Sequence, residues 1–174
     1  KNNGSSASAL WWREDFVGLA HSVSIVADLT LDGKDEVIGT QILRHDGSRS
    51  MSLGIDPGVL GHVDNLAIGD IDPNRAGLEC MAPREHYPYE NILFNTWGVI
   101  WRDTTKQDDE ADGDKSQIGN FDTGRPGLEM WFRGPESRNQ WVLDQNSDVI
   151  ADYWLPNHID SWFSGGANGM EEVY

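Results

Sequence analysis

The feature that most constrains this chain is a ten-residue phrase written twice. Residues 70–79 read Asp70-Ile71-Asp72-Pro73-Asn74-Arg75-Ala76-Gly77-Leu78-Glu79, and residues 120–129 read Asn120-Phe121-Asp122-Thr123-Gly124-Arg125-Pro126-Gly127-Leu128-Glu129. Each stands behind an Ile-Gly pair, Ile68-Gly69 and Ile118-Gly119. A looser version runs from Ala27 to Ile38 through Asp28, Asp32, Gly33 and Glu36. In all three an apolar run enters an acidic, glycine-bearing turn and a second apolar run leaves it, which predicts strand, tight turn, strand. Asp28, Asp70 and Asn120 head the copies, 42 and 50 positions apart, a spacing that falls among propeller blades and other repeat arrays.

The predicted fold is all-β, built of four-stranded β-propeller blades, with repeat units near 20–62, 63–112 and 113–160. A chain of 174 residues holds about three to four such blades, whereas closed propellers use about four to eight. The expectation is therefore a partial β-propeller over 1–174, a segment of a longer protein whose missing blades are its partner. No long amphipathic helical pattern competes with this reading.

Carboxylates at alternate positions of a tight loop point inward together, and glycine allows the backbone angles that let them converge. Such a loop gathers hard oxygen donors that suit calcium. Asp28, Asp32, Asp70, Asp72, Asn120 and Asp122 are the candidate metal ligands; the plainer alternative is that they only cap backbone amides.

Acidic residues outnumber basic ones 29 to 13, giving a net charge of −16. That balance argues against a nucleic-acid partner, because phosphate binding needs clustered Lys and Arg. Cys80 is the sole cysteine, so an internal disulfide and a zinc–thiolate cluster are both excluded. Its place in Leu78-Glu79-Cys80-Met81-Ala82 predicts a buried, inert thiol. No apolar run reaches the roughly 18 residues of a membrane helix. A secreted or periplasmic location is expected, with any leader already removed.

Along the chain, adjacent Trp11 and Trp12 face opposite sides of an expected strand, either one toward core and one toward surface or both in packing between blades. Glu36 to Leu43 reads as one strand, followed by an Arg44-His45-Asp46-Gly47 hairpin turn that puts His45 at a rim. Met51 to Val63 reads as a loop, after which His62, Asp64 and Asn65 crowd the entrance to the next strand. Ala82 to Asn91 is the densest collection of catalytic residue types, holding Arg84, His86, Tyr87 and Tyr89: Arg can clamp a carboxylate, and His and Tyr can move protons. Trp97 and Trp101 are expected on one face of a strand ending at Arg102. Residues 103–117 read as an acidic insertion loop, and closing strands flank an Asp144-Gln145-Asn146-Ser147 turn.

The two full phrases, together with Gly61-His62-Val63-Asp64-Asn65-Leu66-Ala67-Ile68 ahead of the first, resemble the blade repeats of the rhamnogalacturonan lyases and the related ulvan lyases. That resemblance implies a calcium-containing propeller of seven or eight blades that cleaves an acidic polysaccharide by β-elimination at a uronic acid. The acidic insertion and the weaker first repeat lean toward ulvan as substrate. By residue type, the family chemistry gives one proton-transfer role to His62 or His45, the other to Tyr87 or Tyr89, and the carboxylate clamp to Arg84 or Arg102. The calcium it implies is structural. The alternative reading is a noncatalytic calcium-binding propeller module that binds glycans or a protein partner, which needs exposed aromatics and metal but no base.

Overall fold

The structure is a computed structural model that describes residues 8–18, 25–54, 63, 65–84, 90–104, 115–133 and 140–152. Among them, short strands form three four-stranded antiparallel sheets, each an up-and-down meander in sequence order. The first holds β1 (Ile25–Ala27), β2 (Glu36–Ile38), β3 (Gln41–Leu43) and β4 (Arg49–Ser52). The second holds β5 (Ala67–Gly69), β6 (Glu79–Arg84), β7 (Glu90–Asn95) and β8 (Gly98–Asp103), and the third β9 (Lys115–Gly119), β10 (Glu129–Arg133), β11 (Gln140–Leu143) and β12 (Val149–Asp152). The chain is all-β, as its turn-punctuated β-branched runs predict.

The middle sheet is buried on both faces, and its sequence explains why. Period-2 alternation sends Cys80, Ala82, Ile92 and Phe94 toward the first sheet, where they pack with Leu29, Ile38, Ile42, Met51 and Leu53. Met81 and Leu93 point the other way, onto Met130, Leu143 and the half-buried Ile118, Trp101 and Trp141 of the second core. Both faces of β6 and β7 therefore carry apolar residues at the strand centres, with the buried polar Glu79, Arg84, Glu90, Asn91 and Asn95 toward their ends. Pro83 sits in β6 beyond the last residue paired with β5, Met81, where its missing N–H breaks no ladder on that side.

Several local expectations change; Trp11 and Trp12 lie outside any strand, and the 103–117 insertion is shorter than its acidic composition suggests, since Asp103 ends β8 and Lys115 begins β9. Glu36 to Leu43 is two strands, not one: the chain turns at Gly39-Thr40, where the Thr40 amide donates to the Val17 carbonyl at 3.1 Å. Met51 and Ser52 belong to β4 rather than to a loop. Trp97 and Trp101 do not share a strand face, because Asn95 Oδ1 accepts the Trp97 and Gly98 amides at 3.0 and 3.2 Å and turns the chain before β8. Trp97 is left exposed at the hairpin tip, while Trp101 packs into the second core.

The stack has two ends. The β1–β2, β5–β6 and β9–β10 turns, which are the repeated acidic phrases, share one end with the β3–β4, β7–β8 and β11–β12 turns. The β2–β3 turn, the last residues of β4, β6 and β8 and the first residues of β5, β7 and β9 lie at the opposite end, the connection end. The sheets stack in the same sense, since the Leu78 amide reaches the Leu29 carbonyl at the turn end and Arg102 reaches the Leu53 carbonyl at the connection end.

Candidate functional site

At the turn end the repeated phrase performs a definite structural task. Its glutamate recurs as Glu36, Glu79 and Glu129, all buried. One carboxylate oxygen of each accepts turn amides: Leu29 on Glu36 at 2.9 Å, Ile71 and Asp72 on Glu79 at 3.0 and 3.1 Å, Phe121 and Asp122 on Glu129 at 2.7 and 3.0 Å. Charge-assisted bonds of this kind satisfy amides that the turn removes from the ladder. The second oxygen of Glu79 is buried without a partner, and burial above all, with Asp70 and Asp72 nearby, pushes its carboxyl up. The recurrence of this glutamate in all three copies is the sequence signal of that role.

The six candidate calcium ligands divide between turns. Asp72 accepts the Asn74 amide at 3.1 Å and pairs with Arg75 Nε at 3.0 Å; Asp122 accepts the Gly124 amide at 3.0 Å and pairs with Arg125 Nε at 3.0 Å. A guanidinium held against each carboxylate supplies the positive charge that a divalent ion would bring and repels that ion, so the second and third turns do not fit calcium. Asp70 and Asn120 are exposed beside them. In the first turn Asp28 accepts the Asp32 and Gly33 amides at 3.0 and 2.7 Å, and Asp32 accepts the Lys34 amide at 2.9 Å, and among the described residues no guanidinium pairs with either. Among the described residues no three His, Cys, Asp or Glu side chains converge as a metal cage.

The catalytic candidates also divide. At the connection end, Arg84 from the last position of β6 and Arg102 from β8 both hold Glu90, the first residue of β7, at 3.0 and 2.5 Å. Antiparallel register places them there: Arg84 pairs with Glu90 and Arg102 with Ile92. Arg84 and Glu90 are buried, so the pair is a desolvated one whose rupture would strand a charge. Glu90 is the counter-ion that the sequence reading missed; only the fold brings it beside both arginines. His62, Tyr87 and Tyr89 lie outside the described residues. Asn65, three residues after His62 in sequence, ties the second sheet to the third by donating to the Ser116 carbonyl at 2.7 Å.

His45 is at the other end. It sits exposed in the β3–β4 turn, its carbonyl accepting Trp11 Nε1 at 2.8 Å. The length of a β-sheet separates it from Arg84 and Arg102, so it does not belong to one site with them. Beside it is a feature of a different kind, a cleft of ≈ 590 Å³ lined by Trp11, Trp12, Arg13, Glu14, Asp15 and Asp46 among others. Trp11 is fixed against Gly47, whereas Trp12 is 76% exposed. Arg13 and Arg49 both hold Asp15, and the Arg13 bond brings its carboxyl down to about 2.

Residues 11–168 match the family described as "Rhamnogalacturonan lyase family 11, C-terminal domain". The chain belongs to that family. It is 29% identical over 168 residues to rhamnogalacturonan endolyase YesW of Bacillus subtilis, a match covering 86% of this chain and 26% of the relative. It is 47% identical over 86 residues to rhamnogalacturonan exolyase YesX of the same organism, covering 47% of the chain and 13% of the relative. The crystal structure of YesW aligns with a TM-score of 0.61 at 28% identity over 78% of this chain and 22% of that one. Rhamnogalacturonan lyase PL11 of Bacillus licheniformis aligns with a TM-score of 0.60 at 26% identity, again over 78% of this chain. The chain thus spans about a quarter of the length of these relatives. The expected lean toward ulvan finds no support, since the matching family and both curated relatives are rhamnogalacturonan lyases; an acidic insertion and a weak repeat are loop features that carry no substrate identity.

Proposed function

We propose that this chain is the C-terminal part of a polysaccharide lyase that cleaves rhamnogalacturonan by β-elimination, its three sheets being blades of a propeller completed by further blades of the same protein. The family match over residues 11–168 carries this reading. In such a reaction a base takes the proton at C5 of the uronate, a cation stabilises the charge that develops on the carboxylate, and an acid protonates the departing 4-linked oxygen. We assign the proton transfers by residue type to His62 and to one of Tyr87 and Tyr89, and the cation's role to the arginines at the connection end. Arg102, the more exposed of the two arginines on Glu90, clamps the carboxylate, and Arg84 positions it through Glu90. His45 takes no part.

The test uses the full-length enzyme and follows the ultraviolet absorbance of the unsaturated uronate product. His62→Ala and Tyr87→Phe are expected to lower kcat by about 10²-fold or more, the ordinary worth of a positioned proton-transfer group, while His45→Ala keeps the wild-type rate. Full activity in His62→Ala, or loss in His45→Ala alone, refutes the assignment. Calcium, as a structural ion, is proposed for the first turn only, on Asp28 and Asp32.

One observation favours a second reading, a glycan-binding module. Trp12 offers an open aromatic face beside Arg13, Glu14 and Asp46, and such faces stack on sugar rings. Binding of rhamnogalacturonan lost in Trp12→Ala, with no unsaturated product from the full-length protein, would select it.

A further inference from the structure

The acidic turns lock neighbouring sheets together by one repeated device. In the first sheet Leu29 gives its amide to Glu36 and its carbonyl to the next sheet, where it accepts the Leu78 amide at 2.7 Å. In the second sheet Ile71 gives its amide to Glu79 and its carbonyl to the Leu128 amide at 3.4 Å. The donor turn approaches so closely because the residue before each leucine is glycine in the left-handed region. Gly77 has φ +83° and Gly127 φ +91°; a Cβ would stand 2.4 Å from the Leu29 carbonyl oxygen and 2.2 Å from that of Ile71.

Phe121 is the third member of the series. Its amide donates to Glu129 at 2.7 Å as Leu29 and Ile71 do to their glutamates, so its carbonyl occupies the accepting position. Among the described residues no backbone amide outside the ladders donates to it. At the other extreme Gly33 is also left-handed, φ +84°, but the amide that follows it, that of Lys34, donates to Asp32 within its own turn at 2.9 Å, and nothing lies within 4 Å of where a Cβ would be. The face of the first sheet away from the second is instead covered by the chain's own residues 11–18, through Val17 on Thr40, Asp15 on Gln41 and Trp11 on the His45 turn.

We infer that the Phe121 carbonyl and the turn around it form the receptor for one further sheet, held by the same contact: a turn whose left-handed glycine precedes an amide donor. The occupant is a repeat of this kind, because the same interface already occurs twice in the stack and the third sheet continues it. The inference deepens the propeller reading by naming the atoms through which the next blade is held.

The test extends the intact 174-residue chain at its C-terminus with a second copy of residues 63–152. The expected result is a single unfolding transition at a higher midpoint than the unextended chain. Hydrogen exchange at the copy's Leu78 amide is expected to be slowed about tenfold or more relative to the same chain with Gly77→Val in the copy. In that variant the copy's strand amides stay protected while the Leu78 amide is released, which separates loss of the contact from failure to fold. Two independent transitions, with the original midpoint unchanged, would overturn both the receptor and the stacked array. A raised single transition with an unprotected Leu78 amide would overturn the receptor alone and leave the propeller reading standing.

Discussion

Glu79 shows how one residue can be legible in type and illegible in role. Its place in a twice-written phrase is plain from the sequence, but only the fold shows that one oxygen takes two amides and the other is buried without a partner. Its folded-state carboxyl is raised, chiefly by burial, so the native state binds the proton more tightly than the unfolded chain. The stability it contributes is complete below the unfolded carboxylate value of about 4.3 and is lost as pH rises through the folded value. Glu79→Gln keeps an oxygen for the two amides and removes the charge. It is expected to flatten that decline, so urea midpoints measured from pH 4 to 8 should fall less steeply in the variant. An unchanged slope would mean that Glu79 is ionised in both states. Cys80 beside it is fully buried, and burial pushes its thiol up, as its apolar setting predicts.

At the level of the elements, the glycine of each acidic turn is more informative than the carboxylates. Gly33 and Gly127 share a left-handed backbone, φ +84° and +91°, but only Gly127 lies against a neighbouring carbonyl. Gly33→Ala therefore bears the backbone strain alone, about 1–2 kcal/mol. Gly127→Ala adds a clash that cannot be relieved without parting two sheets, and the total should exceed Gly33→Ala by at least about 1 kcal/mol. Paired chemical unfolding curves of the two variants check the ordering, and equal losses would show that the turns do not hold the sheets together. The strand-turn-strand pattern was readable because period-2 alternation and Asp/Gly turns are local signals. The break at Gly39-Thr40 was not, because its partner, Val17, is more than twenty positions away.

For the whole molecule, stacking decides which charges meet. The sequence offered six calcium ligands as equals, but the arginines of the second and third turns occupy their carboxylates, and among the described residues the first turn alone lacks one. Removing calcium with a chelator is expected to lower the thermal midpoint of the wild-type chain and of Asp72→Asn, and to leave Asp28→Asn unmoved. A chelator effect that survives in Asp28→Asn would place the ion elsewhere. The division of the candidate catalytic set follows from the same stacking: Arg84 and Arg102 meet on Glu90 at one end, while His45 stands at the other. The sequence by itself determined the all-β class, the repeat period, the acidic turns and the buried cysteine, since these rest on alternation and turn chemistry within a few residues. The tertiary structure decided which carboxylates carry a guanidinium, which arginines share a counter-ion and that His45 stands at the turn end away from them, because those depend on register between strands and on contacts between sheets tens of residues apart.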